Sequence, residues 1–152
     1  MTQQDPSLIP LDGHLCFSIY SAAIAVNRLY KPLLDKLGIT YPQYLVLATL
    51  YEAGEQTVSG IGERLSLDPS TITPVLKRLE QGGFILRQRN PDNERQVCVS
   101  ITEKGGALRT DAKCLLETLL KRSRMTVPQI EALNENVRAL LGALASEEGK
   151  RS

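Results

Sequence analysis

Ser66-Leu67-Asp68 is the segment that most restricts how this chain can fold. It leaves only three residues between two stretches that both read as short helices. The first spans Val58 to Leu65 behind Thr57; the second opens behind Asp68 or Ser70 and stops at Gly82-Gly83. Two helices joined by so short a link must pack as one unit. Gly60 and Gly62 each cost roughly 1 kcal/mol against alanine in an exposed helix interior. Packing therefore has to supply what propensity withholds, and small residues let another helix approach closely. Pro69 and Pro74 fall in or near the first turns of the second helix, where a missing N–H matters least.

Two helices precede this pair. Asp12 is the expected cap of a helix from about Gly13 to Leu37, in which Leu15, Ile19, Tyr20, Ala23, Val26, Tyr30, Leu33 and Leu37 recur at helical spacing before Gly38 stops it. Pro32 predicts a kink or break near Lys31. Thr40-Tyr-Pro-Gln43 reads as a capping box opening a helix to about Glu52, closed by Gly54, with Tyr44, Leu45, Leu47, Ala48 and Tyr51 as its buried side. After Gly83 the pattern becomes β-like. Residues 84–89 and 96–101 form two short runs, and the polar stretch 90–95 between them predicts a hairpin with a long tip. Thr102 then caps a helix to about Arg124. Thr126-Val-Pro-Gln129 is a second capping box, opening a last helix to about Ala145.

Helix, helix, short break, helix, hairpin is the order of a winged helix-turn-helix. The expected fold class is mainly α with a small β-hairpin wing, between N- and C-terminal dimerisation helices. In such a unit a short helix braces a second whose start enters the major groove, while the hairpin tip reaches the neighbouring backbone or minor groove. Ser70, Thr71 and Thr73 are small hydroxyl donors suited to base edges or phosphates. Lys77 and Arg78 follow on the flank, Arg87 and Arg89 on the strand, and Arg95 at the tip. Between Ser70 and Ile101 five basic residues face three acids, Glu80, Asp92 and Glu94, leaving +2. Those charges alone read as a solvated face; the order of elements carries the DNA reading.

Composition supplies mainly exclusions. The 152 residues carry 18 Lys+Arg against 17 Asp+Glu, a net charge of +1, so no basic or acidic tail marks a nucleic-acid or membrane-surface protein. At 42% hydrophobic and 23% charged, the sequence is that of an ordinary globular chain. Met1-Thr-Gln-Gln-Asp-Pro-Ser lacks the features of a secretory signal, and no stretch has the length of a membrane span, so a cytoplasmic location is expected. The terminal helices are amphipathic beyond what a winged domain needs for its own core. Leu115, Leu116, Leu119, Leu120, Ile130, Leu133, Val137, Leu140, Leu141 and Leu144 can be buried between two chains, or within one as a bundle. A two-fold homodimer would place two reading helices about one DNA turn apart, matching a palindromic duplex.

The chain has 3 cysteines and 1 histidine. Cys16 falls in the first turn of the first helix, where free N–H groups and the helix dipole favour an anion and hence a thiolate. On spacing alone, a buried packing residue is the favoured reading. Cys98 alternates with Val97 and Val99 and reads as packing. Cys114, beside Leu115, reads as core or as a second thiol. No C-x-x-C spacing occurs and His14 is the lone imidazole, so neither a metal site nor a cofactor is expected. No nucleophile–base set, phosphate loop or carboxylate pair stands out, so enzyme chemistry has little support.

Over nearly its whole length the chain resembles the MarR family of dimeric winged-helix regulators. The resemblance rests on Leu67-Asp-Pro-Ser-Thr-Ile-Thr-Pro-Val-Leu-Lys-Arg-Leu-Glu80, on Gly83-Phe-Ile and on Asp92-Asn-Glu-Arg95, which looks like the family's D-x-x-R wing tip. Leu15-Cys-Phe-Ser-Ile-Tyr20, Tyr30-Lys-Pro-Leu33 and Leu37-Gly-Ile-Thr-Tyr-Pro-Gln-Tyr-Leu45 resemble the family's organic hydroperoxide resistance (OhrR) branch more narrowly. That resemblance implies that Cys16 is a peroxide sensor, hydrogen-bonded by Tyr30 and Tyr41 of the partner subunit, with Phe17 and Tyr20 lining its pocket. It implies a DNA set of Ser70, Thr71, Thr73, Lys77, Arg78, Arg87, Asp92 and Arg95.

The implied segments are 1–39 for sensing and dimerisation, 40–101 for DNA binding and 102–152 for dimerisation. The implied mechanism is a reduced dimer that represses from an operator. An organic hydroperoxide converts Cys16 to a sulfenic acid, which condenses with a second thiol. Two-cysteine members of the branch carry that second thiol where this chain has 121–125. Cys114 stands about two turns earlier, so either Cys114 or a low-molecular-weight thiol is the disulfide partner. The rival readings are a repressor released by a small aromatic ligand and, more weakly, a thiol peroxidase.

Overall fold

The computed structural model describes residue 5 and residues 8–149, with side chains as far as Ser146. The opening segment read above for targeting signals lies, apart from Asp5, outside the described residues. The chain divides into two compact units, Met1–Leu115 and Leu116–Ser152.

In the first unit, a 3-10 turn Leu11–Gly13 leads into α1 (Leu15–Leu37) and α2 (Tyr41–Ala53). A two-residue strand β1 (Gln56–Thr57), α3 (Val58–Leu65) and α4 (Pro69–Gln81) follow. Next come β2 (Ile85–Asn90), β3 (Asn93–Ile101), α5 (Glu103–Asp111) and the first residues of α6 (Lys113–Ser123). The sheet is antiparallel in the order β1-β3-β2. Val46 and Leu47 of α2, Ile61 of α3, Ile72, Leu76 and Leu79 of α4, and Ile85 and Val99 of the sheet have no more than 1% of their surface exposed. This core removes apolar surface from water and fixes α4 against the hairpin.

Several local expectations are met. Thr40 caps α2 in a full capping box, accepting from the Gln43 N–H at 3.3 Å while Gln43 Oε1 accepts from the Thr40 N–H at 2.9 Å. Thr57 caps α3 and Thr102 caps α5. Gly62 is needed for close approach: a Cβ there would stand 3.1 Å from the Leu67 carbonyl oxygen. The short link turns on Ser66, whose φ of 56° puts a non-glycine residue in the left-handed region.

Other expectations are corrected. Asp12 does not cap α1. Pro10 starts a tight turn in which Gly13 N–H bonds to Pro10 O at 2.8 Å, so Asp12 is spent in that turn and His14 takes the cap position. Pro32 does not break α1, which is continuous through it; buried Tyr30 and Leu34 on either side hold the helix in the core. Asp68 occupies the cap position of α4, but its side chain bonds no amide there. The buried side of α2 is Gln43, Val46, Leu47, Thr49 and Leu50, so only Leu47 of the expected set is fully enclosed. Leu45-Val-Leu47 is apolar all round, and periodicity cannot choose a face in such a run.

The hairpin tip is shorter than expected, because Asn90 and Asn93 both join the ladder. Their side-chain oxygens accept from the Asp92 and Arg95 N–H groups at 3.0 and 3.2 Å, closing the turn locally. The helix expected from Thr102 to Arg124 is divided at Ala112, where the Leu115 N–H bonds to Ala112 O at 3.1 Å and both residues are buried.

The second unit contains the rest of α6 and α7 (Val127–Gly149). Arg124, with φ of 57°, makes the turn between them. The Thr126–Gln129 capping box then starts α7, with bonds of 3.3 and 2.9 Å. Leu133, Val137, Leu141 and Leu144 lie exposed along α7.

Candidate nucleic-acid interface and thiol site

α4 is a two-faced helix. Ile72, Leu76 and Leu79 repeat at helical spacing and are buried, which turns Ser70, Thr71, Thr73, Lys77 and Arg78 outward, all exposed. Its C-terminal end is held by residues that follow the hairpin. Thr102 Oγ1 donates to Gly83 O at 2.6 Å and Lys104 Nζ donates to Gly82 O at 2.7 Å. The Lys104 ammonium also stands 4.6 Å from the centre of the Phe84 ring. Gly105 sits so close that a Cβ would collide with the Phe84 carbonyl oxygen. Tyr51 Oη donates to Gly105 O at 2.6 Å. Its hydroxyl is pushed up to about 12, by burial first and then by the nearby Tyr44 phenol, with Arg109 opposing. Sequence reading missed this clamp because its members are far apart in the chain.

The wing residues divide into two kinds. Arg89, Asp92 and Arg95 are exposed towards and at the tip. Arg87 is different: its side chain is 26% exposed and tied to Glu80 of α4. Glu80 Oε1 accepts from Arg87 Nη2 at 3.1 Å and Oε2 from the Arg87 N–H at 3.0 Å. These bonds hold the Glu80 carboxyl below its usual value, the side-chain bond counting most and the backbone bond next. Arg87 Nε is buried without a hydrogen-bond partner. Sequence reading had counted Glu80 only as an acid to subtract.

The predicted sensor residues are brought together in part. Tyr30 is buried and Tyr41 half-buried, with ring centroids 5.8 Å apart; Tyr44 continues the cluster 6.0 Å from Tyr41. Burial pushes the Tyr30 and Tyr41 hydroxyls up, with neighbouring phenols adding to the shift. Both therefore stay protonated hydrogen-bond donors at physiological pH. Cys16 is exposed at the second position of α1. It stands fourteen residues from Tyr30 on one helix, about 21 Å at 1.5 Å per residue. A Cys16–Tyr30 contact therefore needs a second copy of the chain. Phe17 and Tyr20 are exposed beside Cys16, at 37% and 65%. His14 Nε2 lies 2.8 Å from Ile9 O. Cys98 and Cys114 are half-buried free thiols. Among the described residues no group of three or more His, Cys, Asp or Glu is placed to hold a metal ion, and no helix is long and apolar enough to cross a membrane.

A helix presenting hydroxyls and cations beside a basic wing is the geometry of a DNA-reading module. The family model described as MarR family matches residues 39–97. The chain is 43% identical over 134 residues to the organic hydroperoxide resistance transcriptional regulator of Bacillus subtilis (strain 168), covering 88% of this chain and 91% of that one. The chain belongs to the MarR family. Among solved structures, this MarR-family chain is similar to reduced AbfR of Staphylococcus epidermidis bound to DNA. The TM-score is 0.72 at 35% identity, over 89% of this chain and 94% of that one. Overoxidised AbfR bound to DNA gives a TM-score of 0.70 at 35% identity, over 88% and 94%. The winged-helix class expected from the order of elements is the fold of this MarR-family chain.

Proposed function

We propose that the protein is a homodimeric transcriptional repressor that holds palindromic operator DNA while Cys16 is reduced and releases it after an organic hydroperoxide has oxidised Cys16. The observation that carries the reading is the exposed Cys16 thiol at the start of α1, in a chain 43% identical to an organic hydroperoxide regulator. Ser70, Thr71 and Thr73 approach base edges or phosphates; Lys77, Arg78 and Arg95 add phosphate contacts, with Asp92 shaping the tip.

In the chemical step the Cys16 thiolate attacks one peroxide oxygen. The S–O bond forms as the O–O bond breaks, and the alkoxide leaves with a proton as an alcohol. The resulting sulfenic acid condenses with a second thiol, forming a disulfide and releasing water. That thiol is Cys114 of the partner subunit or a low-molecular-weight thiol of a reducing cytoplasm. The partner's Tyr30 and Tyr41 donate to the Cys16 thiolate, so oxidation acts at the dimer interface. Segments 1–39 and 102–152 serve dimerisation, and 40–101 serves DNA.

A gel-shift series tests the reading, with a duplex that the wild-type protein selects from a randomised pool. Wild type should release the duplex on addition of cumene hydroperoxide, and Cys16→Ser should bind and stay bound. A Cys16→Ser protein that still responds would sink the sensor reading. Stoichiometric rather than repeated peroxide consumption separates a sensor from a peroxidase. Non-reducing electrophoresis of Cys114→Ser decides the thiol partner: loss of a crosslinked dimer assigns it to Cys114, and no crosslink in wild type assigns it to a small thiol.

A further inference from the structure

Sequence position alone puts Arg87 among the phosphate contacts, but its surroundings point elsewhere. Side chains alternate along β2, so Arg87 shares a face with Ile85, which is fully buried. Its register partner on β3, Val99, is buried as well. That face looks towards the helices. The Arg87 guanidinium meets the Glu80 carboxylate there, and the same carboxylate takes the Arg87 N–H, so two bonds of 3.1 and 3.0 Å join the last turn of α4 to the middle of β2. Arg87 Nε is buried, so the inner edge of the guanidinium faces the protein, although 26% of the side chain stays exposed. Arg89, two residues on along the same face, is exposed.

We propose that Glu80 and Arg87 are positioning residues for DNA recognition: they lock the wing to the reading helix, and neither touches DNA. They add a polar tie beyond the core contacts of Ile85 and Val99 and the pairing of β3 with β1, on the stretch that leads out to the tip. From Arg87 the strand runs three more residues to Asn90, about 10 Å at 3.3–3.4 Å per residue, before the turn at 91–92. A small change of strand angle at Arg87 therefore displaces Arg95 and the tip by much more. An acid beside a DNA surface would ordinarily weaken binding by repelling phosphate; here its removal should weaken binding instead.

The proposal rests on the DNA-binding reading and is tested on the reduced full-length protein with the selected duplex over a range of salt concentrations. Glu80→Ala and Arg87→Ala should each weaken binding about tenfold, a loss of about 1.4 kcal/mol. The double variant should be no weaker than either single one. Arg87→Ala should leave the salt slope unchanged, whereas Lys77→Ala should lower it by about one unit. Glu80→Gln keeps the side-chain volume and an acceptor for the Arg87 N–H, and should lose less than Glu80→Ala. Hydroxyl-radical footprints of Glu80→Ala should lose protection at the wing and keep it at the reading helix. If Glu80→Ala binds as well as wild type or tighter, or Arg87→Ala lowers the salt slope by one unit, Arg87 is a direct phosphate ligand and the brace is wrong. A wild-type protein that selects no duplex would instead overturn the DNA reading beneath it.

Discussion

Tyr51 and Glu80 show how much a single side chain's meaning depends on a partner distant in sequence. The Tyr51 hydroxyl is buried against the Gly105 carbonyl, and its pKa of about 12 means that the neutral phenol is the form the fold prefers. Its stabilisation is full below pH 10 and is lost as pH rises through about 12. Tyr51→Phe should cost about 1 kcal/mol in urea denaturation, and should remove the step near pH 12 from an alkaline absorbance titration. Glu80 has the opposite sign. Its pKa in the folded protein lies below the ordinary 4.5, so the pair stabilises above that value and is lost as pH falls through the folded one. The stability difference between wild type and Glu80→Gln should hold from neutral pH to about 5 and close in more acid solution. It should stay within about 1 kcal/mol, because water screens a pair this exposed. The sequence displays both residues, but their partners lie 54 and 7 positions away, beyond the reach of local pattern.

At the scale of elements, the threonine caps were legible because their chemistry is local, whereas the expected Asp12 and Asp68 caps make no such bond. Thr40-x-x-Gln43 and Thr126-x-x-Gln129 each satisfy their own amides, whatever packs nearby. The break at Ala112 and the unbroken passage through Pro32 were not legible, because buried neighbours decide both. Two adjacent glycines of α5 make the point experimentally. Gly106 is exposed with nothing near its Cβ position, so Gly106→Ala should stabilise by up to about 1 kcal/mol through helix propensity. Gly105 carries the same propensity gain, but a methyl group there would strike the Phe84 carbonyl oxygen. Overpacking of this kind costs about 1–3 kcal/mol, at the upper end against a backbone atom, and outweighs the gain. Gly105→Ala should therefore lower the thermal midpoint while Gly106→Ala raises it, as circular dichroism can check. Because Gly105 also braces the end of α4, Gly105→Ala should weaken DNA binding too.

For the molecule as a whole, the proposed function rests on two copies of the chain more than on its net charge. A total of +1 gives little long-range attraction for DNA, yet two copies present two sets of Lys77, Arg78, Arg89 and Arg95. The exposed row Leu133, Val137, Leu141 and Leu144 on α7 gives the proposed dimer an apolar face to bury. Leu141→Glu should shift sedimentation towards the monomer and lower operator affinity at least tenfold, about 1.4 kcal/mol, because the half-sites would then be bound independently. A variant that stays dimeric would place the contact elsewhere. The helix, helix, short break, helix, hairpin order, the exposed hydroxyl and basic face of α4 and the position of Cys16 on the first helix followed from the sequence alone, since they depend on periodicity and spacing. The tertiary structure alone decided which arginine is free and which is held, and why Gly105 must be glycine. Each of these depends on distances between residues that only the packed fold sets.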